Sequence, residues 1–345
     1  MKSERLVGRC DQTMVSEADF SRELRRAFDE VWSHAVVSGF GHSGSCSLFL
    51  GFSSEQLGKV FLASFPQIRF AHTDLAIAFV TAEDIDLGHL VPKPADQSNL
   101  LITNDHYLAW IAGDLPVLYA LDRHAGRGFV WLAASKAPNW ELSRPALPII
   151  HAFTVQTPWT GAHGGAVGRG GRFLLLAGKG KAGKTTAALA CARAGWQYAG
   201  DDYVFTNSET GRVEPLYCSA RLRIDMVDTF ADLLHDSAAV SEDDGEVRHE
   251  LRLARSFGNR VEGGALAAIL LPRRNGAKRP CFEPARRVDA YAALATVTIF
   301  GLPGWPKATT EKLSALVGLA PVYFVDTGSV PTAIPEAFGR FLDRL

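Results

Sequence analysis

The stretch GKGKAGKTT, Gly178 to Thr186, fits the spacing G-x-x-x-x-G-K-[ST], with Gly178, Gly183, Lys184 and Thr185 at the fixed positions. Each residue type in that pattern has a chemical purpose. Gly178, Gly180 and Gly183 let the backbone turn tightly, so that successive N–H groups can face an anion. A helix beginning right after the loop adds the positive end of its dipole. Lys184 can reach the β- and γ-phosphates of ATP, and the Thr185 hydroxyl can ligate Mg²⁺. Lys179 and Lys181 add positive charge at the mouth, while Ala182 and Thr186 complete the stretch. Such a pattern arises by accident in roughly one in a hundred chains of this size.

One helix and a turn later comes AGDDYVF. A carboxylate at Asp201 can hold Mg²⁺ directly or through water. Asp202 is an extra acid that motor and switch NTPases do not need. It could accept a proton from an incoming hydroxyl and make a nucleophile for the γ-phosphate. The plainer alternative for both acids is a turn that caps the following segment. In CSARLRID, Arg221 and Arg223 alternate and could face one side of a strand as substrate or phosphate contacts. Arg260 in FGNRVEGG is a lesser candidate.

The elements around these residues can be read in turn. Phe173–Ala177 is a short apolar run of the kind buried in a parallel sheet. The Ala-rich TTAALACARAG reads as a helix stopping at Gly195. WQYAGDDYVF supplies a second strand carrying both acids, and LAAILLPRR (Leu266 to Arg274) another buried one. VDAYAALATVTIF and TTEKLSALVGL read as helices, PVYFVDTG as a strand, and IPEAFGRFLDRL as a last helix. The acidic SEDDGEVRHE (Ser241 to Glu250) reads as a solvated loop; the Gly-rich Thr157–Arg172 separates the halves and could be only a linker, yet it runs straight into the apolar strand. Upstream, Ser16–Val36 has helical spacing, LAIAFVTAEDIDL begins as a strand, and Val117–Ala134 is a hairpin, together an α+β module. The histidines His34, His42, His72, His89, His106 and His124 show no metal-ligand spacing.

A chain of 345 residues fits two domains, here 1–155 (smaller, α+β, substrate recognition) and 156–345 (α/β, nucleotide-binding). Lys plus Arg (36) nearly balances Asp plus Glu (37), which argues against nucleic acid as a partner. The start of the chain lacks an apolar signal region, and there is no long apolar run, so no membrane partner is expected. Five scattered cysteines without a CxxC fit a reducing cytoplasm.

From His163 to Phe205 the sequence resembles the nucleotide-binding core of the HPr kinase/phosphorylase family, and more closely its diverged relatives, some of which act in modified-peptide biosynthesis. The resemblance rests on His163-Gly164, the loop from Gly178, Ala194-Gly195 and Gly200-Asp201-Asp202 in the family's order and spacing. It implies a P-loop domain of HPr-kinase type and ATP-dependent phosphorylation of a Ser or Thr hydroxyl on a peptide or protein. Lys184 would clamp phosphate and Thr185 would ligate Mg²⁺. Asp201 would be the metal-side acid, Asp202 the general base, and His163 a polar group near the transferring phosphate. A homo-oligomer would also follow. The loop departs from the family at Lys179, Gly180, Lys181 and Thr186, and the C-terminal signature of the reverse reaction is missing, which points away from HPr as substrate. Phosphorylation of a small molecule such as free serine, nucleotidyl transfer, and a non-catalytic nucleotide-binding module are the alternatives.

Overall fold

The computed structural model describes residues 6–10, 13–43, 46–67, 72–91, 99–104, 106–113, 116–243, 245–273, 276–302 and 305–345. Arg274, the last residue of one expected strand, and Asp244 of the acidic stretch lie outside the described residues, as do residues 1–5 of the N-terminal segment.

The apolar run after Arg172 is a strand, Arg172–Ala177, parallel to Gly264–Arg273, which is parallel in turn to Val322–Asp326. Helices cover both of its faces, which explains why it lacks polar alternation. Phe173, Leu175 and Ala177 share a core with Leu294 of the helix Arg287–Gly301 and with Leu313 and Leu316 of the helix Pro306–Gly318. Leu174 and Leu176 belong to the opposite core, with Ala187, Ala188 and Cys191 of the helix Lys184–Arg193 and Phe338 of the helix Ile334–Leu342. This layering makes the region α/β.

The Gly-rich segment is not a linker. Trp159–Arg169 is a strand of the same eight-stranded sheet, antiparallel to Arg172–Ala177 on one side and to Gln197–Gly200 and Tyr203–Asn207 on the other. Its glycines answer to crowding. A Cβ at Gly164 would lie 2.7 Å from the Leu176 carbonyl oxygen, and one at Gly165 3.0 Å from Asp201 Cα. Composition alone does not separate such close backbone packing from a flexible connection.

The acidic stretch is not a solvated loop either. Ser237–Asp243 and Glu246–Arg252 pair as antiparallel strands, and Glu246–Arg252 also pairs with Ser219–Arg223. Glu250 is fully buried, accepting from Arg221 Nε at 3.0 Å and Ser241 Oγ at 2.7 Å.

Toward the N-terminus lies a seven-stranded sheet. Its expected hairpin is present as Val117–Asp122 with Arg127–Leu132. Its middle is parallel: Leu75–Thr81 runs alongside both Cys46–Phe52 and Arg127–Leu132. The helix Glu17–Ser33, capped by Ser16 Oγ on Asp19 N at 3.2 Å, packs Phe20, Leu24, Phe28 and Val31 on one face of this sheet. The other face holds a core shared across position 155, where Tyr119, Leu147 and Ile150 join Tyr203, Phe205, Leu216, Tyr217 and Leu302. Polar contacts cross at the same place, including Tyr217 Oη to the Pro145 carbonyl at 2.9 Å and Arg252 Nη2 to the Leu142 carbonyl at 2.8 Å. No described helix is long and apolar enough to cross a membrane.

Glu141, in the short helix Asn139–Ser143, is wholly buried in this shared region. It bonds to the Tyr119 hydroxyl and accepts the Ala146 N–H at 2.8 Å. Burial pushes its carboxyl up to about 8, although Tyr119, the Ala146 N–H and Arg144 all favour the charged form. The folded protein therefore binds a proton that the unfolded chain has lost. This contribution to stability is full below the ordinary carboxylate range and is lost as pH rises to about 8. Glu141→Gln keeps the shape and hydrogen bonding of the protonated acid. Melting of the two proteins is expected to match near pH 4 and to diverge in favour of the variant up to about pH 8. Parallel melting curves across that range would show that Glu141 is charged in the fold.

Candidate functional site

The glycine loop runs from the end of the strand Arg172–Ala177 into the helix Lys184–Arg193. Gly183 caps that helix at φ 104°, and a Cβ there would lie 3.3 Å from Thr327 Oγ1, so both backbone and space call for glycine. No side chain caps the helix N-terminus, leaving its dipole directed at the space before the loop. Lys184 is buried and folds back on the loop, donating to the Gly178 carbonyl at 2.7 Å and the Lys179 carbonyl at 3.2 Å. Burial lowers its pKa, opposed by the nearby Asp202 and Asp201.

In front of the loop is a cavity of about 300 Å³. Gly180, Lys181, Gly183, Lys184, Thr185 and Thr186 form one side, with Asp201, Asp202 and His163 on another. Arg221 and Arg223 also reach it. Gly178, Lys179 and Ala182 do not line the cavity, although Gly178 and Lys179 hold Lys184 through their carbonyls. Arg260 lies elsewhere, donating to the Ala192 carbonyl at 2.6 Å.

The two acids sit where the sheet partner of Trp159–Arg169 changes from Gln197–Gly200 to Tyr203–Asn207. Their surroundings drive them apart electrostatically. Burial and the adjacent Asp202 charge push Asp201 up to about 7, while the Thr185 hydroxyl and the Arg221 N–H pull the other way. Burial also works against the Asp202 charge but is outweighed by His163, Arg144 and Lys184, which hold it well below the usual carboxylate range. His163 Nε2 is 3.2 Å from Asp202 Oδ1. An ionised carboxylate can only accept, so the contact requires the proton on Nε2, which is the donor. The imidazole is held by its own backbone N–H on Thr298 Oγ1 at 3.0 Å and by the Tyr203 ring, edge-on at 5.3 Å.

Sequence reasoning missed two arginines here. Arg144, between the short helix Asn139–Ser143 and the helix Leu147–Phe153, lines the cavity with Nε 3.7 Å from Asp202 Oδ2. Nothing in ELSRPALP marks it, because its partners are far along the chain. Arg248 also lines the cavity, and here a signal existed: Glu246, Arg248 and Glu250 alternate with the period of a strand.

The cavity's outer cations are occupied by acids of the protein itself. Glu246 meets Lys181 at 2.5 Å and Arg248 at 2.7 Å, while Arg223, 3.8 Å from Glu246, pairs more closely with Asp225 at 3.0 and 3.1 Å. Lys181 and Arg248 lead in holding its carboxyl down to about 2. Arg221 instead ties to the buried Glu250, which gives it a part in the fold. Asp201 and Thr185, which both line the cavity, are the pair that could share a cation. Among the described residues no group of three or more His, Cys, Asp or Glu could hold a metal by itself. Mg²⁺ does not need one, since it keeps waters and phosphate oxygens as ligands.

No protein-family model and no curated protein matches this chain.

A polyanion entering the cavity must compete with Glu246 for its cations. Glu246→Gln is therefore expected to tighten binding of inorganic tripolyphosphate about fivefold at low ionic strength, with the gain shrinking at high salt. Calorimetric titration of both proteins checks this. Equal affinities would show that Lys181 and Arg248 do not meet the anion.

Proposed function

We propose that the protein is a kinase of HPr-kinase type that transfers the γ-phosphoryl group of ATP to a Ser or Thr hydroxyl of a peptide or protein. The observation that carries this reading is the meeting of Lys184, Asp201, Asp202 and His163 around one cavity. A nucleotide-binding module needs the loop but has no use for a second, ion-paired carboxylate facing it.

The residues present suit ATP and Mg²⁺. The backbone N–H groups of the loop and of the first turn of the helix would hold the phosphates. Lys184 would exchange the Gly178 and Lys179 carbonyls for phosphate oxygens. Thr185 and Asp201 would hold Mg²⁺, and its charge would favour the ionised form of Asp201 that burial opposes. The bound nucleotide supplies the phosphoryl group, and the ion neutralises its charge.

Asp202 is the group that takes the hydrogen bond of the acceptor hydroxyl, and receives its proton only as the bond to phosphorus forms. His163 donates to Oδ1 and Arg144 faces Oδ2, so two partners fix the direction of the carboxylate. A carboxylate held so strongly ionised is a weak base. Its contribution is chiefly to orient the hydroxyl, which suits a reaction in which positioning and electrostatics dominate. Arg144 and Lys184 flank Asp202 from two sides and supply the positive charge on which a transferring phosphoryl group depends. The region before position 155, which contributes Arg144, would choose the acceptor.

The test is mass spectrometry of Ser- and Thr-containing peptides incubated with the protein, ATP and Mg²⁺. One added phosphoryl mass is expected with the wild type and none with Lys184→Ala. Asp202→Asn is expected to bind ATP normally while transfer falls about 10²- to 10⁴-fold. Full transfer by the Asp202 variant would remove its role. ADP formed only when free serine is added would point to a small-molecule kinase, and pyrophosphate in place of ADP to nucleotidyl transfer.

A further inference from the structure

A second cavity, of about 290 Å³, opens on the other side of Arg144, which lines both. Its walls are Trp110 and Ala112 of the strand Tyr107–Ala112, with Tyr119, Trp140, Leu147 and Leu302. We propose that this aromatic cavity seats an apolar side chain of the acceptor, on a residue next to the Ser or Thr that is phosphorylated. The proposal rests on the kinase reading above and adds to it a substrate class: peptides with Phe- or Leu-sized side chains flanking the acceptor residue.

Two features support this. The first is continuity with the loop cavity. Tyr203 stands beside Arg144, with the guanidinium 5.8 Å from its ring centroid, and its ring meets His163 at 5.3 Å. Gly301 lines the aromatic cavity, and a Cβ on it would be 3.7 Å from Tyr203 Oη. Arg144 and Tyr203 thus form the partition between the cavities, and Asp202 lies on its far side, 3.7 Å from Arg144 Nε. A group seated in the aromatic cavity is separated from the reacting centre by little more than this pair.

The second feature is the lining chemistry. Both oxygens of Glu141 are taken, one by the Tyr119 hydroxyl and the other by the Ala146 N–H. Arg144 faces Asp202 across the partition and lies over the Tyr203 ring. A sugar ring would bury several hydroxyl groups against walls that are mostly aromatic and aliphatic, each at a desolvation cost. An apolar side chain pays no such cost and gains aromatic contact. A volume of about 290 Å³ leaves room for a Phe- or Leu-sized side chain.

The experiment compares acetyl-Gly-Phe-Ser-Phe-Gly-amide with its counterpart carrying Asp in place of both Phe residues, with wild type and Ala112→Trp, which fills the cavity from its strand. Burial of one Phe side chain is expected to raise kcat/KM at least tenfold over the Asp peptide. Ala112→Trp should erase that preference and leave the KM for ATP unchanged. Ala112→Leu serves in its place if the larger residue prevents folding. Equal use of the two peptides, or a preference untouched by the cavity-filling variants, overturns the inference while the kinase reading stands. If neither peptide is phosphorylated, calorimetric binding separates the two ideas. Selective binding of the Phe peptide, lost in Ala112→Trp, upholds an apolar side-chain site and removes the kinase. Absence of selective binding overturns the site as well.

Discussion

Two adjacent carboxylates, Asp201 and Asp202, are the constraint on which this structure turns. Charges of one sign side by side in a poorly solvated place are tolerated only if cations are brought to them or one takes up a proton. Here both occur. Asp201, against Thr185 and the Arg221 N–H, is pushed toward neutrality in the absence of a cation, while Asp202 stays charged. The cationic and hydrogen-bonding partners of Asp202 come from three separate places: His163 from a sheet strand, Lys184 from the glycine loop, and Arg144 from the region before position 155. Their agreement on one point fixes how those elements sit.

The apolar packing follows the same geometry. Leu175 and Leu176 point into opposite helix-covered cores, which holds the strand leading to the loop, and with it the loop's starting position. On the other side, Tyr203 is core, aromatic neighbour of His163 and partner of Arg144 at once. One residue after Asp202, it ties the acid pair to the apolar core shared across position 155. The resting site also satisfies itself internally. Lys184 rests on loop carbonyls, Glu246 on Lys181 and Arg248, and Arg223 on Asp225, so a ligand enters by exchange with contacts already present.

What could be read from the sequence was local. The glycine loop, its strand and its helix are adjacent in the chain, and their residue types carry their conformational reasons with them. Asp201 and Asp202 follow at the end of the next strand, and the structure brings them to the loop. Arg144 could not be read, because only the folded chain puts it beside Asp202. Arg248 and Glu250 were misjudged because the acidity of their stretch outweighed a period-two alternation that marks a strand. The glycines between Thr157 and Arg172 were open to the same error, since crowding and flexibility select the same residue. The α/β character of the loop region was legible, whereas the parallel middle of the N-terminal sheet was masked by its hairpins.

The central claim is that the loop holds the phosphates of ATP with the terminal one facing Asp202. The most direct measurement is a crystal structure of the protein with Mg²⁺ and the β,γ-imido analogue of ATP. The expected result is the phosphates against the backbone N–H groups of Gly180 to Thr185, Lys184 turned from the Gly178 carbonyl to the terminal phosphate, and the metal on Thr185 and Asp201. A nucleotide bound elsewhere, or a terminal phosphate turned away from Asp202 and His163, would contradict it.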